Sequence, residues 1–203
     1  MGTGEQNREK QAMAADLQHV VSDATLFQAW SRVEDNQGCA GVDRQEIDDF
    51  ACGLGRNLAC LRKEVLAGTY RPLPLLRAWM PKKNGGLRPL AIPAVRDRVL
   101  QTATALVLTP IFEAEFAECS FGYRRGRSVD HALRRVMQLR DQGYVWVVDA
   151  DIQSFFDEID HNLLLTEVQQ QVADPGIVML IRLWLATEVE EDGERFATVK
   201  GVP

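Results

Sequence analysis

The sequence predicts an α+β fold, helix-rich with short antiparallel strands. Three observations carry that expectation. Several capped segments place apolar residues at helical spacing. Two short β-like runs, Arg77–Pro81 and Leu87–Ile92, flank an Asn84-Gly85 turn signal. The stretch from Tyr144 to Ala150 is apolar except for Asp149, as a strand buried on both faces should be. At 203 residues and 46% hydrophobic composition, the chain can bury a sizeable core as one large domain or two lobes.

The elements follow in order. A polar lead runs into a helix capped near Ser22, with Leu26, Phe27, Trp30 and Val33 as its apolar stripe. After the small-residue loop 36–41, Asp43 and Glu46 have capping-box spacing for a second helix. Its stripe is Ile47, Phe50, Ala51, Leu54, Leu58, Leu61 and Val65, with Gly68 as the stop. Tyr70 to Pro74 must be extended because each proline restricts the residue before it. Pro81, Pro89 and Pro93 confine the two strands to a sheet edge or a mobile lobe. A helix over Val95–Thr109 and a separate helical stretch over Ile111–Phe116 follow, split at Pro110. Ser128 caps a helix ending near Gly143, the Tyr144 strand comes next, and helices follow over 160–172 and 177–186. Glu191-Asp192-Gly193 marks a last hairpin.

Composition narrows the function classes. The formal charge of −6 argues against a simple basic nucleic-acid binder, but the charges are segregated. Arg77 to Leu100 holds six bases against Asp97, and Ser120 to Arg140 holds six arginines against Asp130. A basic face beside an acidic cleft would give this pattern. The four cysteines lack zinc spacing and read as reduced residues. The N-terminus has no apolar signal region, and 177–186 is too short to span a bilayer. The expectation is a cytoplasmic protein with no membrane partner.

Three constellations carry chemistry. Lys82, Lys83 and Arg88 put three cations on one small β-element that can grip a polyphosphate, or simply form a solvated hairpin. Ser120-Phe-Gly-Tyr-Arg-Arg-Gly-Arg-Ser128 interleaves aromatics with Arg124, Arg125 and Arg127. Such a strip suits phosphate backbones and base stacking, or is a turn into the Ser128 cap. At the end of the Tyr144 strand, Asp149 and Asp151 fall on one face, where two carboxylates repel unless a divalent cation sits near them. Asp157 and Asp160 read as caps or edge acids, and His161 as a first-turn residue of a helix.

Taken together, these residues resemble the N-terminal part of a bacterial group II intron-type reverse transcriptase. The matching stretches are Ala40–Asp43, Pro81–Pro93, Asp97–Gln101, Pro110–Glu113, Ser120–Ser128, Asp151–His161 and Gly201–Pro203, in order from about residue 25 onward. The resemblance implies a right-hand polymerase, with fingers and a partial palm. It implies a division into an N-terminal helical extension (1–35), fingers with the basic hairpin (36–95), a first part of the palm with the catalytic strand (96–157), and fingers helices with a hairpin leading towards the remaining palm (158–203).

By the same resemblance, Asp151 is a catalytic metal ligand assisted by the Ile152 carbonyl. Ser154 and Phe155 lie under the incoming triphosphate, and Phe156 abuts the sugar C2′ and excludes ribonucleotides. Lys82 or Lys83, with Arg88, holds the triphosphate, and Arg124, Arg125 and Arg127 lie along template or primer. The implied cofactor is Mg²⁺, with Mn²⁺ as its substitute, in a two-metal nucleotidyl transfer. The implied partners are RNA template, DNA or RNA primer and dNTPs, with intron RNA or CRISPR adaptation proteins as further candidates. Family members continue past Gly-Val-Pro with Gln-Gly and an aromatic-x-Asp-Asp turn, so the expectation is a segment of a longer enzyme that does not polymerise alone. Arg125 stands where the family commonly has proline. The alternative is a non-catalytic RNA-binding module, of maturase type or a scaffold, for which the basic blocks would suffice.

Overall fold

The computed structural model describes residues 15–82 and 85–202. Most of the polar lead, together with Lys83, Asn84 and Pro203, lies outside them. The described chain is built of α1 (Leu17–Val20), α2 (Asp23–Asp35), α3 (Ile47–Cys52), α4 (Leu54–Leu66), β1 (Leu75–Pro81), β2 (Leu87–Ile92), α5 (Val95–Glu113), α6 (Val129–Asp141), a 3₁₀ turn (Phe155–Asp157), α7 (His161–Gln171), α8 (Pro175–Leu185), β3 (Val189–Glu191) and β4 (Glu194–Phe196). This is the expected helix-rich α+β arrangement.

Caps account for several helix starts. The Ser22 hydroxyl accepts from the Thr25 amide (3.2 Å), and Asp160 accepts from Asn162 and Leu163 at the start of α7. Asp174 caps α8 and also accepts from the Leu17 amide at 3.0 Å, which ties the start of α1 to the start of α8. Three expectations fail. The second helix starts at Ile47 with Glu46 as its cap and Asp49 as the reciprocal partner, because Arg44 is left-handed (φ 57°) and breaks the chain after Asp43. That helix is also interrupted at Gly53, giving α3 and α4. Conversely, α5 runs through Pro110, since burial of Ile111 and packing of Phe112 on the core hold the last turn.

The sheet has the order β2-β1-β3-β4. The β1–β2 and β3–β4 pairs are antiparallel, as expected for hairpins, but β1 and β3 are parallel, with Leu75 opposite Val189. Pro89 sits on edge strand β2, where its missing N–H costs no ladder bond. The main core lies between α2 and α5, where Leu26, Ala29 and Trp30 are buried with Val99, Leu100 and Ala103. Trp30 stacks on Phe50 at 5.2 Å.

The largest departure concerns Tyr144–Ala150. This segment forms no paired strand and is solvent-exposed, with Trp146 at 94% and Val148 at 92%. A strand buried on both faces needs a ladder partner at each edge and a layer on each face. The four-stranded sheet offers it neither. The buried acid is a different residue. Asp97, 1% exposed, accepts from the Tyr70 hydroxyl (2.8 Å) and the Leu73 amide (2.9 Å), while the Trp184 indole donates to the Tyr70 oxygen (3.0 Å). Arg96 reaches Glu64 at 2.6 Å and lies over the Tyr70 ring. The network ties the chain after α4, the approach to β1, α5 and α8 together.

Burial holds the Asp97 carboxyl above its ordinary value of 3.8, against the hydrogen bonds from Leu73 and Tyr70 and the charge of Arg96. The native state therefore binds this proton more tightly than the unfolded chain does. The resulting stability is fully present below 3.8 and is lost as pH rises through the folded value. Asp97→Asn offers one acceptor to two buried donors and should cost about 1–3 kcal/mol in urea unfolding. Because the variant does not titrate, the stability advantage of Asp97 over it should shrink as pH rises from 3.8 through the folded value and level off above it. A gap that widens with pH contradicts this account.

Candidate functional site

Asp149, Asp151 and Ile152 are all exposed on the unpaired segment that follows Tyr144. The chain then turns sharply. Ser154 is left-handed (φ 51°), and its carbonyl accepts from the Asp157 amide at 3.0 Å and the Glu158 amide at 3.1 Å. The turn presents Phe155 and Phe156 to solvent, edge to face at 5.3 Å. It is held from behind by residues 200–202. The Val202 amide donates to the Phe156 carbonyl and the Gly201 amide to the Ile159 carbonyl, both at 2.8 Å. His161 Nε2 donates to the Gly201 carbonyl at 2.7 Å, and Lys200 pairs with Glu158 at 2.5 Å. Glycine is required at 201: φ is 82°, and a Cβ there would lie 2.8 Å from the Asp157 carbonyl oxygen. His161 is thus a structural residue, as expected, and its partner is a motif far along the chain.

The sheet carries the first set of cations. Lys82 and Arg88 are exposed near the tip of the β1–β2 ribbon. Register puts Arg88 opposite Met80, and Arg77 opposite Ala91 on the other face. A cavity of about 220 Å³ opens on the Arg77 face, lined by Arg77, Pro89, Asp157, Lys200, Gly201 and Val202 among others. The strand cation that lines this cavity beside the aromatic turn is Arg77, which shares it with Lys200; Arg88 and Lys82 are not among its lining residues. Sequence reading missed Arg77, although strand alternation relative to Arg88 was the available signal.

The arginine strip divides by role. The Arg124 side chain is 7% exposed and four of its five N–H donors are engaged: Nε and Nη2 donate to Glu113 at 2.9 and 2.6 Å, and Nη1 to the carbonyls of Ala117 and Ser120. It also stacks over Phe116. Most of the donor capacity of Arg124, expected to meet nucleic acid, is thus spent inside the protein, where it closes the loop after α5. Arg125 is exposed. Arg127 donates to the Glu118 carbonyl, lies over Phe121, and lines a groove of about 740 Å³ together with His131, Arg134 and Arg135. Arg134 and Arg135 join the basic surface from α6. The dense basic block between Ser120 and Arg140 was their signal, but only the helix brings them round to Arg127.

Divalent-cation chemistry is a matter of ligand count. Mg²⁺ takes about six oxygens in near-octahedral array. Asp151 and the Ile152 carbonyl supply only part of that, and among the described residues no three His, Cys, Asp or Glu side chains gather to hold a metal ion. The segment alone therefore does not fit the ion.

With this geometry established, residues 80–203 match the family model for reverse transcriptase (RNA-dependent DNA polymerase). The chain belongs to that family. It is 40% identical over 167 residues to protein YkfC of Escherichia coli (strain K12), covering 80% of this chain and 44% of that protein. It is 30% identical over 179 residues to the group II intron-encoded protein LtrA of Lactococcus lactis subsp. cremoris, covering 87% of this chain and 29% of LtrA. The chain thus spans less than half the length of either relative. A solved partial Cas6-RT-Cas1–Cas2 complex contains the same fold, with a TM-score of 0.59 at 24% identity over 91% of this chain and 30% of that one. Among the described residues no helix is long and apolar enough to cross a membrane.

Arg124→Ala should destabilise the chain by about 2 kcal/mol, since it leaves Glu113 and two carbonyls without their donor. Arg125→Ala should leave stability unchanged. Parallel denaturant titrations check both, and equal effects would remove the structural role assigned to Arg124.

Proposed function

We propose that this chain supplies the fingers and the opening part of the palm of an RNA-directed DNA polymerase. In that reading the full-length protein joins dNTPs to a primer 3′-hydroxyl along an RNA template. The observation that carries it is the fixed turn at Ser154–Asp157, which presents Phe155 and Phe156 at a solvent-facing site a few residues beyond the exposed Asp151. The family match over 80–203 supports the same reading.

Asp151 is the proposed acid for a divalent cation, Mg²⁺ or Mn²⁺, with the Ile152 carbonyl beside it and the other ligands contributed by residues outside this segment. Ser154 and Phe155 form the floor under the nucleotide, and Phe156 faces its sugar. Lys82 and Arg88, exposed near the ribbon tip, are the proposed triphosphate contacts, with Lys83 as the second lysine of the pair. Positioning and charge neutralisation are the chemistry such residues can supply. Arg125, Arg127, Arg134 and Arg135 form the proposed surface for the template or primer backbone. The proposed setting is cytoplasmic. The division at residues 35, 95 and 157 into extension, fingers, palm and returning fingers is part of the same proposal.

In the full-length protein, Asp151→Ala should abolish primer extension on an RNA template and leave RNA binding within about twofold. Unchanged extension would favour a non-catalytic RNA-binding module. Residues 1–203 alone should bind RNA without extending a primer. Replacing Arg134 and Arg135 together with alanine should weaken RNA binding and lower the slope of log K against log salt by about 1.4, the value for two lost single-strand phosphate contacts. Filter binding between about 50 and 200 mM salt measures that slope.

A further inference from the structure

We infer that His161 and Gly201 are positioning residues for the side chain that meets the nucleotide sugar, so that sugar selectivity is set in part by a clasp behind the site. The inference rests on the proposal that Phe156 faces the sugar. Phe156 is exposed and touches Phe155 edge-on, so its own packing holds it weakly. Its backbone is held instead. The Phe156 carbonyl accepts from the Val202 amide, and the Ile159 carbonyl, three residues on, accepts from the Gly201 amide. Two parallel hydrogen bonds of 2.8 Å thus fix the span that carries the ring.

The donor strand is itself fixed by His161. A carbonyl can only accept, so the imidazole carries its proton on Nε2 and donates to Gly201 at 2.7 Å. Asp160 anchors the histidine by capping α7 at the preceding residue. Gly201 completes the clasp, because its left-handed backbone sits against the Asp157 and Phe156 carbonyl oxygens with no room for a Cβ. Motion at 201 is therefore transmitted to the Phe156 backbone through atoms in direct contact. An aromatic gate discriminates a hydroxyl by distance, and a small displacement is enough to relax it.

The test uses the full-length polymerase and measures kcat and KM separately for dNTP and rNTP. The reference variant is Phe156→Ala, which should raise the rNTP-to-dNTP ratio of kcat/KM. His161→Ala should shift the ratio in the same direction by roughly threefold to tenfold, the factor carried by one hydrogen bond. His161→Gln, whose amide reaches as far as Nε2, should restore most of the selectivity. The double variant Phe156→Ala/His161→Ala should be no less selective than Phe156→Ala alone, because the clasp acts only through the ring. If Phe156→Ala leaves the ratio unchanged, the gate reading fails and the inference with it. If Phe156→Ala moves the ratio but His161→Ala does not, or if the two effects add, the clasp inference fails and the gate stands. A general loss of activity at an unchanged ratio also overturns it.

Discussion

A single buried carboxylate joins the elements on which this fold is assembled. Asp97 takes one hydrogen bond from Tyr70, where the chain leaves α4, and another from Leu73, just before β1 begins. Trp184 of α8 donates to the same Tyr70 hydroxyl, and β3, which follows α8, pairs with β1. Charge without solvent is tolerated only where donors and a cation surround it, and Arg96 supplies the cation while sharing its guanidinium with Glu64. The sheet therefore takes its place against the helices through polar geometry as well as through apolar packing. An apolar contact would allow sliding, whereas two donors on one carboxylate fix both distance and direction.

Away from that centre the molecule leaves apolar surface uncovered. Helix α6 buries none of its residues although Val129, Leu133, Val136 and Met137 lie along one side, and Val145 to Val148 are exposed immediately after it. The second of these stretches is the more exposed. It adjoins the acidic segment at Asp149 and Asp151, so the residues with the clearest chemistry lie on the least supported part of the fold. The exception is the turn at Phe155–Asp157, which is clasped by residues 200–202. Order at the site is concentrated where the aromatic pair stands.

The arginines show how one residue type serves two ends. Arg124 closes a loop with four of its donors committed inward, while Arg125, one position later, faces solvent. Arg77 pairs loosely with Glu191 at 3.9 Å and lines the cavity beside the aromatic turn, whereas Arg88 lies on the opposite face of the ribbon. A guanidinium offers five donors in a rigid fork, which suits a protein carboxylate as well as a phosphate. Composition cannot distinguish the two uses.

Much of the local chemistry was legible from the sequence, the start and the break of the second helix and the passage through Pro110 excepted. Ser22, Ser128 and Asp160 cap helices because their side chains reach amides two or three residues on, and β1 and β2 follow from alternation around a turn. The motif order identified the family, since it depends only on residues and their spacing. What spacing could not supply was the environment of each residue. The apolar run at Tyr144 reads as a buried strand, yet burial requires neighbours that a one-dimensional pattern does not contain. Asp97 looks like any acid in a basic block, and His161 and Gly201 are forty residues apart. Local propensity determined where the helices and hairpins form; only tertiary structure decided which charges are spent inside, which are offered outside, and which backbone holds the aromatic turn, because those depend on contacts between residues distant in the chain.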